Sequence, residues 1–287
     1  MVTTTCPDCR ANDLEYIGAG ISFGNYAGGK LMVAGHQPPV ILRCSKCCLV
    51  FKYPRIDEAQ SLALYNAVDG SVWSSSMPRP EFDVARRVVG QSGTAGPTVL
   101  DVGCNRGEFL SGLAPEVRKY GVEVNRTAAA CARQTGIHVW SSIADIPDRM
   151  IFDVVTCFDV VEHINAPSGF VRSLLSLLKP GGFLVISSGD ADVFLRQPRP
   201  ALNWYFSNPE HVSFVSAGWF HSILTGMPGY KIEQQVCFLH GHSRKGLLPL
   251  LKIATFKTWP SFYLACYTRV KAALTKRTEF YVPGNGF

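Results

Sequence analysis

The sequence predicts an α/β protein built on a doubly wound, mostly parallel sheet and preceded by a small cysteine-rich module. Three observations carry this. From residue 98 onward, short apolar runs alternate with amphipathic ones; the first run ends in a loop bearing Gly103 and Gly107; and four cysteines fall in two C-x-x-C pairs before residue 48. With 47% hydrophobic residues in 287 positions, the chain can fill a core of ordinary size.

The strands are predicted at 98–103, 119–124, 137–141, 152–158 and 182–188, with helices near 107–114, 126–135 and 168–178. Runs such as "FDVVTCF" are apolar throughout, as strands covered on both faces are. "LLKPGG" reads as a helix stop, because Pro180 cannot continue a helix and the glycines after it accept a positive φ. In such sheets ligands bind beyond the carboxyl ends of the strands, where the strand order reverses.

Ahead of the sheet, residues 1–55 form the cysteine module. "CPDC" supplies Cys6 and Cys9, and "RCSKCC" supplies Cys44 and Cys47, with Cys48 spare. Each C-x-x-C turn aims two thiolates at one point, and two such turns give the four sulfurs of a structural zinc ribbon with no open coordination position. The alternative is four small buried hydrophobes. The glycine-rich, β-forming segment 16–43 reads as a hairpin between the two turns. Residues 56–96 read as a helical connector, with helices over 57–68 and 80–90; residues 97–240 hold the sheet domain, and 241–287 form a tail.

Charge separates the body from that tail. The chain carries +6 overall, yet from residue 240 on eight basic residues face the single acid Glu279, which leaves about −1 for residues 1–239. A body of that charge is no general reader of nucleic acid. The tail mixes Leu, Phe, Tyr and Trp with lysine and reads as a basic amphipathic segment, which packs on its own domain or touches an anionic membrane surface. No uninterrupted apolar stretch reaches the length of a membrane span, and "MVTTTCPDC" has neither the basic nor the apolar part of an export signal. The expected location is therefore cytoplasmic, with peripheral contact at the inner face of the membrane as a variant.

The loop "VLDVGCNRGEFL" carries the chemistry. Gly103 and Gly107 let the backbone turn and approach a ligand, Asn105 tolerates the left-handed region, and Asp101 ends the strand with a polar group at the crevice. Glu123 closes the second strand in "YGVEVN", where a carboxylate can grip a ribose diol. A dinucleotide fingerprint would need G-x-G-x-x-G, whereas the chain offers G-x-x-x-G.

Together with "FDVVTCFDVVEHI" and "LLKPGGFLVIS", this order resembles class I S-adenosylmethionine-dependent methyltransferases over about residues 97–240. The resemblance implies a seven-stranded Rossmann-like sheet. It implies a cofactor held by Asp101, Gly103, Asn105 and Gly107 near its methionine part, by Glu123 at the ribose, by Ser142, Ile143 and Asp145 around the adenine, and by Phe158. The zinc module and the "GCN-x-G" loop are similar to sugar-methylating enzymes of deoxysugar and surface-polysaccharide pathways, which implies a small-molecule or glycan acceptor with the module as a lid. Sugar C-methyltransferases of that group carry a further C-terminal domain, and only 47 residues follow position 240 here, so a hydroxyl acceptor is favoured.

A hydroxyl acceptor needs a base. "DVVEHI" offers Asp159, Glu162 and His163 just past the fourth strand; His163 is the preferred base, Glu162 a companion, and His211 in "NWYFSNPEHVSFVS" the second choice. Trp204 and Tyr205 in that insertion offer planes for a cyclic acceptor, or else pack against the sheet with His211 anchoring the loop. The D-x-x-E-H spacing is also similar to the E-x-x-E-H of ubiquinone-pathway O-methyltransferases, which implies a divalent ion such as Mg²⁺ as an alternative. An RNA methyltransferase and a non-catalytic binding module stay open as readings, as does the oligomeric state.

Overall fold

Two antiparallel pairings shape the N-terminal module. Strand β1 (Leu14–Ala19) is followed by a small hairpin of β2 (Asn25–Ala27) and β3 (Lys30–Val33), then by β4 (Val40–Cys44) and β5 (Val50–Tyr53). β4 lies between β1 and β5. The two cysteine turns sit before β1 and between β4 and β5, so the link expected as one hairpin is a β1–β4 pairing with a second hairpin inserted. The structure is a computed structural model that describes residues 4–21, 25–27, 30–33, 38–74, 79–93, 95–225, 227, 229–239 and 264–272.

The connector begins with α1 (Glu58–Asn66), started by a capping box in which Asp57 accepts from the amide of Gln60 and Gln60 answers to the amide of Asp57. A 3₁₀ turn, Gly70–Trp73, follows, and then α2 (Pro80–Gly90), with proline at its first position. α2 is no linker. Its Val84, Ala85, Val88 and Val89 are buried with Val99, Phe109 and Phe158, so this half of the predicted connector belongs to the helical layer of the sheet.

The central sheet is built from β6 (Thr98–Val102), α3 (Glu108–Ser111), β7 (Arg118–Val122), α4 (Arg126–Gln134), β8 (His138–Trp140), β9 (Phe152–Phe158), α5 (Pro167–Ser176) and β10 (Leu178–Gly189). Five strands run parallel in the order β10-β9-β6-β7-β8, so the order reverses between β6 and β9. Every residue of β6 and β9 is buried, because both faces are covered. Side chains alternate between the two layers: Val99, Val154 and Val185 enter the α2 side, and Leu100, Val155 and Leu184 the other. α3 is one turn rather than the predicted 107–114, since Pro115 disfavours helix at the residue before it. β10 starts four residues before the predicted 182, its register shifting between Leu178 and Phe183.

Beyond β10 come α6 (Ala191–Leu195), α7 (Trp204–Ser207), β11 (Ser213–Phe214), α8 (Ala217–Thr225), β12 (Tyr230–Leu239) and β13 (Leu264–Ala272). β13 pairs antiparallel with β10, and β12 antiparallel with β13. Residues 264–272 were expected within the amphipathic tail; they instead form a strand that satisfies the open backbone edge of β10. The rest of that tail, 241–263 and 273–287, lies outside the described residues. Among the described residues, no helix is long and apolar enough to cross a membrane.

β11 does not join the central sheet. It pairs with β5, making the N-terminal sheet four-stranded in the order β1-β4-β5-β11. The two parts share a core: Cys6, Cys44, Leu49 and Phe51 pack in one buried cluster with Leu100, Val155, Leu174 and Trp219. Asp8, inside the first cysteine turn, accepts from the amide and hydroxyl of Ser168 at the start of α5, and from the indole N–H of buried Trp219 at 2.8 Å. Ala166, the residue capping α5, has no side chain able to do this. Replacing Asp8 by alanine orphans the indole and the first turn of α5. Asp8→Ala should therefore lose about 1–3 kcal/mol in a urea melt, with Asp8→Asn keeping part of that stability.

Candidate active site

The loop after β6 is held open by its backbone. Gly103, Asn105 and Gly107 have φ of 78°, 47° and 83°, all left-handed, and Asn105 occupies the region expected of it. Both glycines are also sterically required. A Cβ on Gly103 would lie 2.3 Å from Cγ2 of Val160, and one on Gly107 2.5 Å from Cδ1 of Ile137.

Asp101 is buried beneath this loop and accepts from the hydroxyl of Thr156 at 2.7 Å. Burial pushes its pKa up to about 7, against the pull of Thr156 and Arg79. Glu123 closes the loop from β7: one carboxylate oxygen accepts from the amide of Asn105 at 2.8 Å and the other from the amide of Asn125 at 2.7 Å. Burial raises its pKa, while those amides favour the charged form. Each oxygen keeps a lone pair, so the carboxylate can still accept from a diol. This left-handed loop, with no room for Cβ atoms and an acid at its rim, fits an adenosyl cofactor.

Ser142 caps the 3₁₀ turn Ile143–Asp145 by accepting from the amide of Ala144; Ser142 and Asp145 are exposed and Ile143 half-buried. Phe158 differs from expectation. Its ring packs on Phe82 and Phe109 at about 5 Å in the core under α2, a role that accounts for it without a ligand.

The segment after β9 separates the predicted triplet. Asp159, at φ 53°, pairs with Arg79 at 2.5 Å; Arg79 also pairs with buried Glu81 and lies over the ring of Phe82. Glu162, in the 3₁₀ turn Val161–His163, is fully buried. Its Oε2 accepts from the hydroxyl of Ser188 at 3.0 Å, and its Oε1 has no partner among the described residues. Burial and then the nearby Asp159 push its pKa up to about 8, so Glu162 is a neutral acid at working pH.

His163 and His211 come together, ring centroids 4.9 Å apart and edge-on. Nδ1 of His163 lies 2.9 Å from the carbonyl of Glu210, and Nδ1 of His211 lies 3.0 Å from the carbonyl of Tyr205. A carbonyl only accepts, so both rings carry their proton on Nδ1 and leave the lone pair on Nε2. Asn208 donates to Nε2 of His211 at 3.1 Å, whereas Nε2 of His163 has no hydrogen-bond partner among the described residues. Burial lowers both pKa values below the ordinary imidazole range, further for His211.

The donor atoms of Glu162, His163 and His211 fall within 4.8 Å of one another. They do not suit Mg²⁺, which takes oxygen ligands: two of the three groups are imidazoles, and Asp159 is drawn off by Arg79.

Several neighbours escaped sequence reasoning. Tyr65, on α1, places its ring edge-on to His163 at 5.8 Å and to Trp73 at 5.5 Å, and the carboxylates of Glu210, Glu162 and Glu123 all add to the burial that raises its pKa. Asn125 holds this connector down, donating to the carbonyls of Tyr65 and Val68. Trp73 donates to Glu210 at 3.3 Å. Trp204 is 42% exposed, its ring tilted toward His211 at 6.4 Å. Tyr205, expected beside it, is fully buried, its hydroxyl bonded to Ser188 and to the amide of Gly189.

The four cysteines of the two turns converge as predicted. Sγ of Cys6 lies 3.5 Å from that of Cys47, Cys9 stands in the same relation to Cys44, and all four sulfurs fall within 4.8 Å. Hydrogen bonding from Cys47 draws the Cys6 thiol down to about 5 and pushes that of Cys47 up. Four sulfurs at this spacing match a tetrahedral thiolate site.

Residues 79–234 match the family model described as a methyltransferase domain, so the fold and the loop after β6 are those of a methyltransferase. The chain belongs to this family, as an S-adenosylmethionine-dependent methyltransferase domain joined to an N-terminal cysteine module. Among curated relatives, the ubiquinone biosynthesis O-methyltransferase of Xanthomonas euvesicatoria pv. vesicatoria is 34% identical over 104 residues, 33% of this chain and 44% of that protein. The one from Proteus mirabilis is 36% identical over 110 residues, 33% and 43% of the two chains. The match thus spans less than half the length of these relatives. A solved complex of the Haloferax volcanii Trm112 methyltransferase activator with a methyltransferase shares the fold at 14% identity, covering 68% of this chain and 91% of that one with a TM-score of 0.51.

Glu162 has a consequence for stability. Its folded pKa of about 8 lies above the ordinary carboxylate value, so its contribution is complete below about pH 4.5 and is lost as pH rises through 8. Glu162→Gln cannot ionise. Thermal melts should show the wild type losing stability relative to this variant between pH 5 and 8.5, with the difference largest at the alkaline end.

Proposed function

We propose that the chain methylates a hydroxyl of a small-molecule or glycan acceptor, with S-adenosylmethionine as donor and His163 as general base. The observation that carries this reading is the tautomer of His163: its Nδ1–H is committed to the carbonyl of Glu210, which leaves a basic lone pair on Nε2. Low proton affinity keeps that ring neutral, hence able to accept.

S-Adenosylmethionine, when bound, supplies an electrophilic methyl on a sulfonium. Glu123 would accept from the ribose hydroxyls, the tight turn that Gly103, Asn105 and Gly107 allow would bring the backbone near the methionine part with Asp101 close by, and Ser142, Ile143 and Asp145 would hold the adenine. His163 would take the proton from the acceptor hydroxyl as that oxygen bonds the sulfonium methyl carbon and the S–CH3 bond breaks, S-adenosylhomocysteine leaving with the electron pair. Glu162, neutral, does not compete for that proton and instead orients Ser188. Trp204 offers a plane to a cyclic acceptor. Cys6, Cys9, Cys44 and Cys47 would hold a zinc ion, which would serve structure rather than chemistry. The relatives' description as O-methyltransferases supports oxygen as the methylated atom. The sugar class rests on the pairing of a cysteine module with a "GCN-x-G" loop.

His163→Ala should bind S-adenosylhomocysteine as the wild type does by calorimetry and lose turnover by about 10²–10⁴-fold; full turnover in that variant removes the base. With tritiated donor, label should enter sugar-nucleotide extracts, whereas label only in purified RNA would overturn the acceptor class. Elemental analysis should find about one zinc per chain, with Cys9→Ser losing it together with part of the fold's stability.

A further inference from the structure

Lys52 is 4% exposed, on the strand of the cysteine module that faces the methyltransferase domain. A lysine costs more to bury than a methionine of similar volume, unless its charge is used. Its Nζ donates to the backbone carbonyl of Asn208, and its amide donates to the carbonyl of Val212 at 3.1 Å. These two residues bracket the segment that orients the histidines. Asn208 donates to Nε2 of His211, Glu210 supplies the carbonyl that receives Nδ1–H of His163, and the amide of Val212 donates to the carbonyl of Glu162 at 2.8 Å. One ammonium therefore holds the start of the loop that carries His211 and presents the Glu210 carbonyl to His163.

We propose that Lys52 is a positioning residue through which the N-terminal module fixes the orientation and tautomer of His163, by holding the 208–212 segment against the two imidazoles. The inference rests on the base role of His163. The module then acts beyond a lid: among the described residues, Lys52 is the cation that acts on His163.

The charges around His163 come from several elements. Lys52 faces it from β5, Tyr65 from α1, Asp159 and Glu162 from the turn after β9, and Glu210 and His211 from the segment before β11. Of these Lys52 opposes the imidazolium, and it does so at both rings; Glu210 and Asp159 favour it. Burial lowers the lysine itself to about 7, so it is charged through the lower range in which His163 takes up its proton.

The test uses the full chain with ¹⁵N-labelled imidazoles, whose seven histidine signals are assigned with His163→Gln and His211→Gln. Lys52→Met should shift the signals of both rings and move the protonation midpoint of His163 upward, while S-adenosylhomocysteine affinity stays within about twofold, since the cofactor loop lies on other residues. Lys52→Arg, which keeps the charge, should return the signals toward those of the wild type. If Lys52→Met does not fold, Lys52→Gln, which lacks the charge but can still donate to Asn208, is read in its place and should raise the midpoint likewise. A folded neutral variant whose imidazole signals and midpoint match the wild type overturns the proposal. Turnover retained in His163→Gln overturns the base role instead, and the spectra distinguish the two because they need no acceptor.

Discussion

The short pairing of β5 with β11 is the constraint on which the site depends. Only Ser213 and Phe214 take part, opposite Phe51 and Val50, yet the pairing draws a segment of the methyltransferase domain onto the sheet of the N-terminal module. The residues just before it, 208–212, are then fixed from both sides: by Lys52 from the module, and by Glu162 and His163 from the turn after β9. Hydrogen bonds to backbone carbonyls decide which nitrogen of each histidine is basic. Two packed units thus convert a loop, ordinarily the most mobile kind of element, into a rigid support for a proton acceptor.

The crevice that results is lined by acids whose charge is suppressed. Asp101 and Glu162 are both driven up by burial, and Arg79 is committed to Glu81 and Asp159. Burial thus makes both carboxyls easier to protonate than exposed ones, while Glu123 at the rim, held by two amides, keeps the direction of its lone pairs.

Much of this was legible in the sequence, because local physics dictated it. Apolar runs in β6 and β9 need cover on both faces, and the left-handed residues of the glycine loop and the converging cysteines follow from conformational and ligand chemistry that act over a few residues. What escaped depends on distant packing. Lys52 stands in "VFKYP", where alternation marks a residue for solvent, until β11 arrives some 160 residues later and covers it. Tyr65 looks like any residue of an amphipathic helix until Asn125 pins that helix over the crevice. Tyr205 and Phe158 show the same limit from the other side: a short aromatic stretch does not tell a ring that faces a ligand from one that packs, and both are buried, Tyr205 among Phe194, Phe206 and Phe214 and Phe158 beside Phe109. β13 was hidden in a basic stretch because pairing with β10, rather than its own composition, determines its form.

Asp8 shows where the working unit of this chain begins. The family match starts at residue 79, but the carboxylate that finishes the first turn of α5 and anchors Trp219 lies seventy residues earlier, between two metal-type ligands. A fragment cut at the family boundary would keep every residue of the cofactor loop and lose both the cap and the cover of its own interior. For this chain, the span of the family match and the span of the shared buried core are different.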